Sequence, residues 1–184
     1  ERLEVQAGLD KGRVRLVPWI ETARAVVNAY QICAASPRVV AVAFGAEDFT
    51  NDMEIERTGD VAEIAYPRQV VAVAARAAGV LALDTPFVAY RDPDGLKRDA
   101  LAARGLGFRG KFAIHPSQIG PINEAFAPTE AELEYARRVV SAFEEAERSG
   151  SGATSLDGKM IDIPVVRRAR GLLELASRAA APRE

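Results

Sequence analysis

Cysteine is almost missing: Cys33 is the only one among 184 residues. A lone thiol excludes an internal disulfide and any cysteine-based zinc centre, and it fits a reducing, cytoplasmic setting. Long apolar runs are missing too. None approaches ~18 residues, so no transmembrane helix is expected. The opening ERLEVQAGLDKG has no apolar core and is no signal peptide. It reads as the end of a helix stopped by Gly8 and Gly12, so the chain is expected to begin inside a longer protein. Charge of one sign is not in excess, with a formal net charge of −2. That leaves no electrostatic case for nucleic acid or an anionic membrane. No GxGxxG or GxxxxGK[ST] pattern occurs, so nothing supports a dinucleotide site or a P-loop. Histidine is limited to His115, and no spacing supports a Ser-His-Asp arrangement. There is no usable internal repeat and no low-complexity tract.

What is present is a globular composition, 48% hydrophobic and 27% charged, on a chain long enough for a real core. Four apolar runs alternate with helical patterns. The spacing predicts strands at 14–20, 39–45, 80–87 and 111–116. Helices are expected at 21–36, about 61–78, about 94–105 and near 117–126. Asp60 and Glu63 stand in capping-box spacing. The strands are nearly continuous apolar runs, which suggests a parallel sheet covered on both faces. The fold class is therefore α/β, either a doubly wound sheet or part of a (β/α)8 barrel. Past residue 128 the pattern changes to a long amphipathic helix, with Thr129 and Glu132 as a second capping box. A stretch that reads as a flexible linker follows at 150–158. A final helix carries Val165, Ala169, Leu172, Leu173 and Ala176 along one stripe.

In a parallel sheet all strand C-termini open on one side, where ligands bind. Just after the four strands stand Glu21 and Thr22, Glu47 and Asp48, Asp84 and Thr85, and His115 and Gln118. Adjacent strands lie ~4.8 Å apart, so Glu21 and Asp48 can converge. Two carboxylates with waters and substrate oxygens make a hard-oxygen site of the kind Mg2+ prefers. They would repel each other without a cation. Other roles are open: Glu21 can charge a helix N-terminus, and Asp48 can cap a turn. Asp52, Glu54, Glu56 and Asp60 read as solvated loop charges. His115 reads as a structural, hydrogen-bonded residue, Cys33 as core, and Trp19 and Phe44 as packing residues. Gly45 and Gly110 fit strand-edge turns.

Five segments together resemble one family: LVPWIET (16–22), VAFGAEDFTNDM (42–53), ARAAGVLALDTPF (75–87), LGFRGKFAIHPSQIGPIN (106–123) and GKMIDIPVV (158–166). They are similar, in order, to the citrate lyase β-subunit-like group of CoA-ester lyases. The resemblance implies a TIM barrel, of which residues 1–127 supply the last four βα units and 128–184 a helical extension ending in a lid helix. It implies that Glu21 and Asp48 are Mg2+ ligands, and that Asp162 is the acid/base, with a helix N-cap as that residue's structural alternative. It also implies a reaction in which a 3-hydroxyacyl-CoA such as malyl-, citramalyl- or citryl-CoA splits into acetyl-CoA and a 2-oxo acid. A lid that serves a neighbouring subunit implies a homo-oligomer, a trimer or a multiple. The family's paired acidic strand and its arginine-bearing strand have no counterpart in this sequence. A 2-oxo acid aldolase working without CoA and a non-catalytic paralogue are the rival readings.

Overall fold

The computed structural model describes residues 1–58 and 61–180. Two compact units divide the chain, residues Glu1–Phe126 and Ala127–Glu184.

The first unit opens with a short helix, α1 (Arg2–Gln6), and then repeats strand and helix four times. Its strands are β1 (Trp19–Ile20), β2 (Ala41–Phe44), β3 (Leu81–Asp84) and β4 (Gly110–Lys111). They form one sheet in the order β1-β2-β3-β4, with every pairing parallel. The register sets Ile20 beside Phe44 and Asp84 beside Lys111. The helices between and after them are α2 (Ala23–Val27), α3 (Ala29–Cys33), α4 (Ala46–Asp52), α5 (Ala62–Ala78), α6 (Pro93–Leu106) and α7 (Ile119–Phe126).

Successive strand residues face opposite sides of the sheet, and the core follows that alternation. Ile20, Val42, Phe44 and Ala82 point toward the helices and pack with Val26, Cys33, Ile64, Val71 and Phe108. Fully burying a side chain such as Phe44 contributes about 1.5–3 kcal/mol. On the opposite side Trp19 packs against Phe112, ring centroids 4.6 Å apart, while Leu81 stays exposed.

Several expected elements differ in detail. The strands are shorter than the apolar runs: Pro18 has no N–H to give the ladder, and the run at 14–18 is joined to its neighbour by the bridge Leu16–Val39 and by Ala43 N–H donating to the Pro18 carbonyl at 2.9 Å. The helix expected over 21–36 is two helices broken at Asn28, whose side-chain amide donates to the Arg24 carbonyl at 2.8 Å. A local side-chain bond of that kind competes with continuous helix. The acidic stretch after β2 is not a loop, since Ala46–Asp52 is helical. The capping partner Asp60 lies outside the described residues, and the Glu63 carboxylate instead accepts from Arg57 Nη1 at 2.6 Å and Thr58 N–H at 3.0 Å.

The second unit holds α8 (Glu130–Arg148), β5 (Thr154–Leu156), β6 (Lys159–Ile161) and α9 (Ile163–Ala180). The Thr129 and Glu132 capping box is present. Within the stretch expected as a flexible linker, Thr154–Leu156 forms the first strand of an antiparallel hairpin that pairs Thr154 with Ile161. Its turn is Asp157-Gly158, both at positive φ, the pairing a two-residue hairpin favours. Arg138 holds the turn through Asp157 at 2.7 Å. Ala136, Val139 and Phe143 of α8 pack with Ile161, Val166 and Ala169.

Candidate active site

The C-terminal ends of β1 and β2 bring the first two candidate carboxylates together. Glu21 leaves β1 directly, and the next residue, Thr22, caps α2 by accepting from Ala25 N–H at 3.1 Å. Gly45 follows β2 and is the N-cap of α4, which places Asp48 in the first turn of that helix. Gly45 N–H still donates to the Ile20 carbonyl at 3.1 Å, so the β1–β2 ladder runs right up to the site. The Glu21 side chain lies across Gly45: a Cβ on that residue would stand 2.6 Å from Glu21 Cγ and 2.9 Å from Cδ. Only glycine leaves that space, which gives Gly45 a part that its sequence context did not reveal.

The Glu21 carboxyl titrates above its ordinary range, first because burial strips it of water and then because the negative charge of Asp48 lies near. Among the described residues neither Glu21 nor Asp48 has an ion-pair or side-chain hydrogen-bond partner. Two repelling, uncompensated carboxylates at a strand-end mouth fit a hard divalent cation, which would relieve the repulsion. No group of three His, Cys, Asp or Glu side chains is arranged as a metal cage among the described residues. The remaining ligands of such a cation would be waters and substrate oxygens, in keeping with the way Mg2+ is commonly held.

Glu47, next to Asp48, is engaged elsewhere. It accepts from Arg57 Nε at 3.2 Å, and Arg57 also grips Glu63. Burial would raise the Glu63 carboxyl, but hydrogen bonds from Thr58 and Arg57 outweigh it and hold the group at about 2. Glu54 and Glu56 are exposed, as expected. Asp52 is exposed as well, and its carboxylate in addition accepts from Ala23 N–H at 2.8 Å.

Asp84 ends β3 but faces away from the mouth. It is fully buried and accepts from Arg68 Nε at 3.0 Å, Arg68 Nη2 at 2.6 Å and Lys111 Nζ at 2.7 Å. Asp99 of α6 closes the cluster through Arg68 and Lys111. Burial pushes the Asp99 carboxyl up, and the two cations outweigh it and hold it below the usual range. Two positive and two negative groups here satisfy each other, so the cluster braces sheet against helices. Its neighbour Thr85 accepts from Ala46 N–H at 3.1 Å, both groups buried. His115 plays a structural part, its Nδ1 within 2.8 Å of Ser117 Oγ and its ring stacked on Tyr90. Gln118 is buried; it accepts from Ile114 N–H and donates to the Phe87 carbonyl. Asp162 belongs to the second unit, where its carboxylate accepts from Val165 N–H at 3.2 Å and caps the first turn of α9.

Parallel strands crossed by helices, with acidic residues at the strand exits, define an α/β protein, and comparison with known proteins specifies a TIM-barrel-like fold. Residues 1–116 match the model of the HpcH/HpaI aldolase/citrate lyase family. The chain belongs to that family. It is 43% identical over 174 residues to the citrate lyase subunit beta of Leuconostoc mesenteroides subsp. cremoris, covering 95% of this chain and 58% of that one. It is 35% identical over 172 residues to the mitochondrial citramalyl-CoA lyase of Rattus norvegicus, covering 89% and 51%. Among solved structures, protein CitE from Mycobacterium tuberculosis, in complex with magnesium, acetoacetate and coenzyme A, superposes with a TM-score of 0.78 at 36% identity. That match covers 89% of this chain and 61% of CitE. A citrate lyase from Burkholderia xenovorans LB400, at 23% identity and TM-score 0.86, shares the fold over the whole chain and 59% of its own length. The chain thus spans roughly half to three-fifths of the relatives it matches. Among the described residues no helix is long and apolar enough to cross a membrane.

Proposed function

We propose that this chain supplies the last four βα units of a barrel, and a C-terminal extension, to a Mg2+-dependent carbon–carbon lyase acting on CoA esters. The observation that carries the reading is the Glu21–Asp48 pair: two uncompensated carboxylates at adjacent strand exits, with Gly45 kept free of a side chain beneath Glu21. The magnesium, acetoacetate and coenzyme A bound by the CitE relative support the same substrate class.

Glu21 and Asp48 would hold the cation, which when bound supplies a Lewis acid for the oxygens of the 2-oxo acid. Glu21 directly follows β1 and Asp48 lies in the first turn of α4, so both carboxylates start from backbone that adjoins the sheet. Cleavage requires a base to take the 3-hydroxyl proton while the C2–C3 bond breaks. The bonding electrons pass to the thioester, and its α-carbon then takes up a proton to give acetyl-CoA and a 2-oxo acid. Asp162 is the group we assign to that proton transfer. The capping bond from Val165 N–H engages one carboxylate oxygen and leaves the other available. The second unit would act as a lid over the site of a neighbouring subunit in a homo-oligomer.

The test is an assay of the full-length protein with malyl-, citramalyl- and citryl-CoA and with the free hydroxy acids, following 2-oxo acid release with and without Mg2+. Cleavage of a CoA ester that EDTA abolishes is expected. Cleavage of the free acids alone would favour an aldolase not using CoA, and no cleavage of any substrate would sink the catalytic reading.

A further inference from the structure

The helix that carries Asp48 is tied at both ends by side chains that no step of the proposed reaction uses. At its start Ala46 N–H donates to the buried Thr85 hydroxyl at 3.1 Å. At its end the Asp52 carboxylate accepts from Ala23 N–H at 2.8 Å. Thr85 follows β3 and Ala23 follows β1, so α4 is bound to the strand exits on either side of its own. The helix is only seven residues long. So short a helix is not stable by itself, and its position depends on what holds its ends. Asp48 and Asp52 are four residues apart and share one face of the helix. Ala23 stands two residues after Glu21. The Asp52–Ala23 bond therefore joins, through one helical turn and one dipeptide, the two segments that carry the paired carboxylates.

We propose that Asp52 is a positioning residue. Its bond to Ala23 N–H fixes α4 against the Glu21 segment and so sets the spacing of the Glu21–Asp48 pair. The proposal rests on the reading of that pair as a cation site. Among the described residues Asp52 completes no three-residue metal cage. It acts on the cation only through the geometry of the other two. The first turn of α2 does not depend on Asp52 alone, because Thr22 already caps it through Ala25 N–H.

The experiment is Mn2+ binding to metal-free, full-length protein, read by electron paramagnetic resonance, with thermal unfolding alongside. Asp52→Ala should weaken Mn2+ binding about tenfold or more, the size usual for groups that orient metal ligands. Asp52→Asn should bind close to wild type, because its amide oxygen can accept the same N–H. Ala23→Pro removes only the donor. Ala23 is the first residue of α2, where proline is favoured, and Thr22 before it is already extended, as a residue before proline prefers. This variant should fold and lose affinity as Asp52→Ala does, which keeps the test decisive if the alanine variant unfolds. Wild-type affinity in Ala23→Pro overturns the proposal, as does an Asp52→Asn as weak as Asp52→Ala, which would trace the effect to charge. A wild type that binds no Mn2+, or an Asp48→Asn that binds as wild type does, removes the cation site and this inference with it.

Discussion

The side chain of Glu21 rests on the bare backbone of Gly45, with its Cγ where only 2.6 Å would separate it from a Cβ. Gly45 has φ −110°, so its backbone does not require glycine; the space does. The two residues sit at the exits of neighbouring parallel strands, and the contact turns a strand-end glycine into part of the carboxylate site.

Gly45→Ala should therefore displace Glu21 while sparing the fold. The colliding atoms belong to a flexible side chain that can swing away, so stability should change by less than about 1 kcal/mol. Mn2+ affinity should fall at least about tenfold. Calorimetric titration beside a thermal melt checks both, and unchanged affinity would separate Gly45 from the site.

Asp48→Asn should abolish Mg2+-dependent activity in the full-length protein and leave the circular dichroism spectrum intact. The amide fills the same volume but brings no charge to a hard cation. Wild-type rates with a CoA ester substrate would take Asp48 out of the metal site.

Asp162 has two roles that its variants separate. Asparagine caps a helix as well as aspartate does, so Asp162→Asn should keep stability and lower kcat by about 100-fold or more, with Mg2+ affinity little changed. Asp162→Ala should in addition lose about 1 kcal/mol of stability. Full turnover in the asparagine variant would leave Asp162 as a cap alone.

The buried cluster of Arg68, Asp84, Asp99 and Lys111 should be costly to break. Arg68→Met leaves two acids to Lys111, and the loss should reach about 3–5 kcal/mol, because an uncompensated buried charge remains. Urea unfolding measures it. A loss below 1 kcal/mol would mean the cluster is not the brace its geometry indicates.

Acid should weaken the first unit in a defined window. Backbone N–H groups of Val14 and Gly12 hold the Glu4 carboxyl at about 2, against an ordinary 4.5, and Glu63 is likewise held at about 2. A carboxyl depressed in the fold contributes its full stabilisation above the unfolded value and loses it as pH falls toward the folded one. Stability should thus decline between about pH 4.5 and 2. Glu4→Gln should shrink that decline, as chemical denaturation at several pH values would reveal.

Much of the architecture was legible in the residues. Alternating apolar runs and helical patterns indicated parallel βα units, and the Thr129–Glu132 spacing indicated the start of α8, because both signals are local. The Asp157-Gly158 hairpin signal is equally local, but it stands in a glycine- and serine-rich composition that also suits a flexible linker. Asn28 broke a helix whose apolar period runs on undisturbed, since the break depends on a side-chain amide finding the Arg24 carbonyl.

The sequence by itself determined which residues stand at the strand exits, and with them Glu21, Glu47 and Asp48 as candidates, because strand direction and chain order follow from periodicity and connection length. Only the tertiary structure decided how those exits are used. Asp84 turned inward to Arg68 and Lys111, Glu47 went to Arg57, Asp52 reached Ala23, and Glu21 settled over Gly45. Each outcome depends on groups brought together from distant parts of the chain, whose distances and desolvation no local pattern encodes.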